Sequence, residues 1–168
     1  MIDIVKDKHL IVISGATAIG KTALSIKLAQ HFNTEIVSAD SRQFYRELKI
    51  GAAQPSEEEL DTIRHHFIGN LSVKEDYNVG LYEKDGLALL HRLFRTNNTL
   101  IMVGGSGLYI DAICLGLDTF PDVDEKIKKE YILEYKNKGI TSLQKELKKK
   151  DTDYFEMADI NNHQRLIR

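Results

Sequence analysis

Residues 8–22 read KHLIVISGATAIGKT. The first seven form a continuous apolar run bounded by polar ends, the pattern of a strand buried on both faces of a parallel sheet. From Lys21 to Phe32, Ala23, Leu24, Ile26, Leu28, Ala29 and Phe32 recur at helical spacings. Between strand and helix lies GATAIGKT, Gly15, Ala16, Thr17, Ala18, Ile19, Gly20, Lys21 and Thr22, which fits glycine, any four residues, glycine, lysine and a hydroxyl residue. In that context the glycines allow a tight loop whose N–H groups point inward. The helix N-terminus adds positive potential, Lys21 a point charge for a diphosphate or triphosphate, and Thr22 a hydroxyl for a divalent metal or phosphate oxygen.

Working outward, Glu35 to Ala39 reads as a second short strand, His65 to Gly69 as an edge strand, and Leu100 to Val103 as a further buried strand. Ser56 with Glu59 makes a capping box for a short acidic helix. Asn78 is a good N-cap for a helix reaching about Thr96, with Val79, Tyr82, Gly86, Leu90 and Leu93 or Phe94 along one stripe. Leu108, Tyr109, Ala112 and Ile113 resume a helical period after Gly104 to Gly107. This alternation predicts an α/β fold, a P-loop NTPase-like doubly wound parallel sheet, over residues 1–120. After Pro121 the texture changes, from a net charge of −3 over 1–120 to +1 over 121–168. A helical subdomain is expected there, with Gly139 ending one helix, Thr141 and Gln144 forming a capping box, and Lys148 to Lys150 on a solvated face.

Composition excludes several classes. Lys plus Arg number 23 against 25 Asp plus Glu in 168 residues, so a globally basic nucleic-acid coat is ruled out. Apolar runs such as Leu10 to Ile13 fall far short of the roughly 20 residues that cross a bilayer, and no secretory pattern follows Met1, so a cytosolic protein is expected. Cys114 is the sole cysteine, which excludes an internal disulfide and a cysteine-built zinc site, and reads as a small core residue. If His65 and His66 lie on a strand they point to opposite sides, which argues against a joint metal site.

The P-loop alone leaves kinases, ATPases and other transferases open. An ATPase would commonly place a Mg²⁺-supporting aspartate at the end of its third long strand, and here Val103 runs into Gly104, Gly105, Ser106 and Gly107. Asp40 stands just past the second strand, at the edge where open α/β sheets bind ligands. It can accept a proton from a nucleophile there, or simply cap a turn with Ser38 and Ser41. A small-molecule or nucleoside kinase using ATP, and a nucleotide-binding regulatory module, remain alternatives.

GATAIGKT, SADSRQFYRELKIGAAQPS (38–56), HHFIG (65–69), VGGSGLYIDAI (103–113) and INNHQRLIR (160–168) occur in this order. Together they resemble the tRNA dimethylallyltransferases, also called tRNA isopentenyltransferases, over the N-terminal portion of a typical member. Family members continue through further helices, so residues 121–168 would begin a helical tRNA-binding subdomain, and this portion alone would transfer little prenyl group. The resemblance implies a prenyltransferase that moves a dimethylallyl group from its diphosphate to N6 of the adenosine adjacent to the anticodon. It implies that the Gly15–Thr22 loop binds the diphosphate, with Thr17 and Lys21 stabilising the leaving group, Mg²⁺ assisting and Thr22 on the metal. Asp40 matches the family's general base. Asp40, Ser41, Arg42, Gln43 and Ser106, with Gln164, Arg165, Leu166, Ile167 and Arg168, match tRNA-contacting segments. The implied partners are the anticodon stem-loop of tRNA and dimethylallyl diphosphate, without a membrane and for a monomeric cytoplasmic chain. Arg42 stands where methionine is common, Ser106 where threonine is common, and His163 where proline is common. Tyr109 would stack on a base or pack on its helix.

Overall fold

The computed structural model describes residues 7–118 and 123–167. The chain divides into two compact units, Met1–Asp118 and Thr119–Arg168. Pro121 and Arg168 lie outside the described residues.

The first unit is a four-stranded, wholly parallel sheet in the order β1-β4-β2-β3, built from β1 (His9–Ser14), β2 (Ile36–Ser38), β3 (His65–His66) and β4 (Thr99–Gly104). Parallel neighbours need crossovers, and α1 (Lys21–His31), α2 (Glu57–Thr62), α3 (Val79–Leu93) and α4 (Gly107–Cys114) complete the α/β alternation. β4 is the longer of the two interior strands, and its period of two is visible in its packing. Leu100 and Met102 join Val37, Leu90 and Ile113 in one core cluster, while Ile101 joins Ala29 and Ile36 in the other. Helices thus cover both faces, the doubly wound arrangement.

β1 is not the doubly buried strand its composition suggests. Among the described residues it pairs only with β4, so Leu10 to Ile13 are half-buried, and full burial passes to β4. The face of α1 also differs from its apolar spacing. Ser25 and Ala29 are its buried residues, whereas Leu24 is 49% and Phe32 40% exposed. Small side chains occupy the contact, and Ser25 is satisfied there because its hydroxyl donates to Thr22 O at 2.8 Å.

Local signals hold well elsewhere. Ser56 and Glu59 form the reciprocal capping box of α2, and Asn78 Oδ1 accepts from Leu81 N at the start of α3. That helix stops at Leu93, with Phe94 to Thr96 closing a turn on Leu90 and Leu93. β3 ends two residues into HHFIG because Phe67 takes a φ of 63°, which breaks extended backbone. Cys114, the last residue of α4, is exposed rather than a core residue.

The second unit contains α5 (Glu125–Lys138), α6 (Ile140–Lys150), α7 (Thr152–Met157) and α8 (His163–Ile167). Gly139, at φ 73°, ends α5 and directly begins α6. The Thr141–Gln144 capping box therefore does not form: Thr141 is already inside the helix, and Gln144 Nε2 instead donates to Ile160 O at 2.9 Å. Leu143 is the one buried hydrophobic residue among this unit's described residues. Lys148, Lys149 and Lys150 are exposed. Among the described residues no helix is long and apolar enough to cross a membrane.

Candidate active site at the carboxyl edge of the sheet

β1 delivers the chain into the Gly15–Gly20 loop, and α1 begins at Lys21. Gly20 has a φ of 92°, a conformation that strains any residue with a side chain, so glycine is required where the loop enters the helix. Lys21 Nζ donates to Ala16 O at 2.6 Å and so lies across the loop. Thr17, Ala18, Gly20, Lys21 and Thr22 line a cavity of about 370 Å³. Gly15, Ala16 and Ile19 do not line it. Ile19 is instead 63% exposed and packs over Gly15, where an added Cβ would meet its Cδ1 at 2.7 Å.

Asp40 lines the same cavity, with Ser38 and Gln43. Its position follows from the close approach of two strand ends. Ala39 N donates to Val103 O at 2.8 Å, and Ser106 N donates to Ala39 O at 3.2 Å. A Cβ on Gly104 would fall 2.1 Å from Ala39 O, so only glycine allows β4 to pass this near. Asp40 Oδ1 accepts from Arg42 N at 3.1 Å, which makes the turn-capping role real, and the cavity position makes the carboxylate available for chemistry as well.

The neighbouring residues divide by role. Ser41 N donates to Ser106 Oγ at 3.0 Å, and the Ser106 hydroxyl lies 3.2 Å from that of Ser41. Arg42 is exposed. Gln43 bridges the site: Oε1 accepts from Ser38 Oγ at 3.1 Å, and Nε2 donates to Ala53 O at 3.1 Å. It therefore ties the end of β2 to the turn that carries Ala52, Ala53 and Pro55, which also line the cavity.

The sequence alone gives neither Ala52, Ala53 and Pro55 nor Glu59, Ile68 and Val103 a place in the site: most fall within the family motifs or a helix cap, but a motif does not say which of its residues tertiary packing turns toward the cavity. His65 lines the cavity too. Its Nδ1 lies 2.8 Å from Ile63 O, its Nε2 is buried without a hydrogen-bond partner, and burial holds its pKa below the usual histidine value. His66 faces the other way and bonds to Glu35, as strand alternation requires. Tyr109 packs against Phe44 and Tyr82, with ring centroids 5.6 Å and 5.1 Å apart.

Gln164, Arg165, Leu166 and Ile167 lie on α8 in the second unit. Asn162 Oδ1 accepts from Gln164 N at 3.1 Å, Gln164 and Arg165 are exposed, and Leu166 and Ile167 are half-buried. His163, where a rigid proline is common, stacks on Tyr135 with 4.3 Å between ring centroids. Among the described residues no group of three His, Cys, Asp or Glu side chains is arranged to hold a metal.

The description of one family, "IPP transferase", matches residues 43–168. The chain is 53% identical to the tRNA dimethylallyltransferase of Flavobacterium johnsoniae, over 95% of this chain and 52% of that protein. It is 52% identical to that of Christiangramia forsetii, over 95% and 53%. Among solved structures it resembles the tRNA isopentenylpyrophosphate transferase of Bacillus halodurans, with a TM-score of 0.64 at 31% identity over 97% of this chain and 54% of that one. It also resembles a eukaryotic dimethylallyltransferase acting on tRNA, with a TM-score of 0.78 at 27% identity over 96% and 40%. The chain spans about half the length of the curated relatives it matches.

Proposed function

The chain belongs to the IPP transferase family, and on that premise we propose that it carries the donor-binding and base-bearing part of a tRNA dimethylallyltransferase. The observation that supports this most is the meeting of the Thr17–Thr22 anion loop and the Asp40 carboxylate in one cavity. A loop for phosphate and a base for a nucleophile are the two ends of a displacement on an allylic diphosphate.

In this reading the diphosphate of dimethylallyl diphosphate lies in the Gly15–Thr22 loop, against backbone N–H groups and Lys21. N6 of the adenosine adjacent to the anticodon attacks the allylic carbon, a C–N bond forms, and the C–O bond to the diphosphate breaks. Asp40 takes the proton from N6, and Thr17 and Lys21 offset the charge that gathers on the leaving group. Thr22 presents a hydroxyl oxygen to the cavity, a hard donor that would hold Mg²⁺. Bound there, Mg²⁺ would supply further charge neutralisation to the diphosphate. Ser41, Arg42 and Gln43, with Ser106 and residues 164–168, are proposed to meet the tRNA, whose target base leaves its stack to reach the donor. A monomeric cytoplasmic enzyme completes the proposal.

Calorimetry with dimethylallyl diphosphate tests it. The parent chain binds the donor, and Lys21→Ala weakens that binding about 10- to 100-fold, the worth of a charge-assisted contact. Unchanged affinity in a folded Lys21→Ala chain would overturn the placement, as would turnover of ATP with a nucleoside acceptor and no affinity for the prenyl donor.

A further inference from the structure

Tyr82 is completely buried on α3, and its Oη donates to Ser38 O at 2.9 Å. Ser38 is the last residue of β2, two before Asp40. The turn's backbone is otherwise anchored from the end of β4 and the start of α4, by Ala39 N to Val103 O, Ser106 N to Ala39 O, and Ser41 N to Ser106 Oγ, while the Gln43 side chain holds the Ser38 hydroxyl and not its carbonyl. Tyr82 supplies a tie from α3. Its ring is itself fixed, with centroids 5.5 Å from Phe44, 5.1 Å from Phe67 and 5.1 Å from Tyr109. Burial raises the phenol's pKa, so it remains a donor throughout the physiological range.

We infer that Tyr82 is a positioning residue for Asp40: by holding the Ser38 carbonyl it fixes the direction in which the Asp40 carboxylate leaves the sheet. This rests on the reading of Asp40 as the proton acceptor. A buried tyrosine needs some partner for its hydroxyl, but a partner anywhere in the core would meet that need. This bond instead reaches the strand end from which the reactive turn departs, and it comes from α3, an element that supplies none of the turn's backbone ties.

The test is nuclear magnetic resonance on this chain, with Tyr82→Phe compared with Tyr77→Phe. Tyr77 is a fair control because its ring also packs on Phe44, at 5.2 Å, while its hydroxyl donates to Asp85 Oδ2 at 3.1 Å and not to the turn. Tyr82→Phe removes a single oxygen atom. It is expected to lower protection of the Arg42 amide, which donates to Asp40 Oδ1, about tenfold and to move the Asp40 carboxyl carbon resonance. Tyr77→Phe should leave both signals in place. A Tyr82→Phe chain that melts earlier with both signals unchanged has lost only a structural bond, and the inference fails. Equal shifts in the two variants would trace the effect to the aromatic cluster as a whole and would also overturn it. Neither readout involves donor or tRNA, so this result stands apart from the binding and transfer assays that test the proposed function.

Discussion

Two ways of holding side chains in place coexist in this chain. In the sheet unit, Ile36, Val37, Ser38 and Ala39 are each fully buried, and the strand end before Asp40 is fixed by backbone bonds to β4 and by the Tyr82 hydroxyl. In the helical unit the described ties are largely solvent-facing pairs one turn apart, Glu125 with Lys129, Glu134 with Lys138 and Glu146 with Lys150, together with the Gln144–Ile160 bond, the Tyr135–His163 stack and the burial of Leu143. Pairs of that kind contribute little, because solvent screens the charges. On the proposed function, the difference teaches where rigidity is required: a proton acceptor must be placed to a fraction of an ångström, whereas side chains that would meet a flexible polyanion can be carried on a softer support.

The largest expected effect is chemical. Asp40→Asn preserves shape and removes the proton acceptor, so in a transfer-competent form it should lower turnover about 10² to 10⁴-fold with donor affinity retained. Prenyl transfer at the parent rate would leave Asp40 as a turn residue and remove the reason for the sheet unit's rigidity. Next comes the helical unit's single deep anchor. Leu143→Ala should cost about 2 to 5 kcal/mol, read as loss of amide protection confined to α5–α8. Equal loss in β4 would show that the two units do not differ in their support.

Gly104→Ala is the corresponding test in the sheet. The added methyl collides with backbone, which cannot rotate away, and overpacking should cost about 1 to 3 kcal/mol or more, measured by urea denaturation. Ser56→Ala removes half of a reciprocal cap at the exposed start of α2 and should cost about 1 kcal/mol, visible as a small shift in the same denaturation curve. The mildest effect is pH-dependent. His65 has a folded pKa below its unfolded one, so the unfolded chain binds the proton more readily and stability falls as pH drops below about 6.5. His65→Gln should flatten that decline, as followed by thermal melts across pH 5 to 7.

Much of this was legible in the sequence because its signals are local. The glycine-rich loop between β1 and α1 is contiguous, so residues 15–22 declare it, and the Ser56 and Asn78 caps need only their own helices. The apolar run at residues 10–13 reports hydrophobicity but not neighbours, so it could not reveal that β4 is interior and β1 peripheral. Ser25 and Ala29 mark the inner face of α1 by being small, against the usual sign of the pattern. The cavity wall at Ala52, Ala53, Ile68 and His65 arises where separate segments converge, and no spacing rule reaches across them. Thr141 illustrates the opposite error, a true capping pattern displaced by a glycine two residues earlier.

If the Gly15–Thr22 loop holds an anion as proposed, the bond from Lys21 to the Ala16 carbonyl makes that binding an exchange reaction. An arriving anion must replace a short contact that the ammonium already has, so a single diffuse charge competes poorly while several charges on adjoining phosphoryl groups can compensate by engaging the loop's N–H groups together. On the proposed function the lysine would thereby act as a valence filter: chloride or acetate would leave the loop self-satisfied, and a molecule bearing linked phosphates would open it.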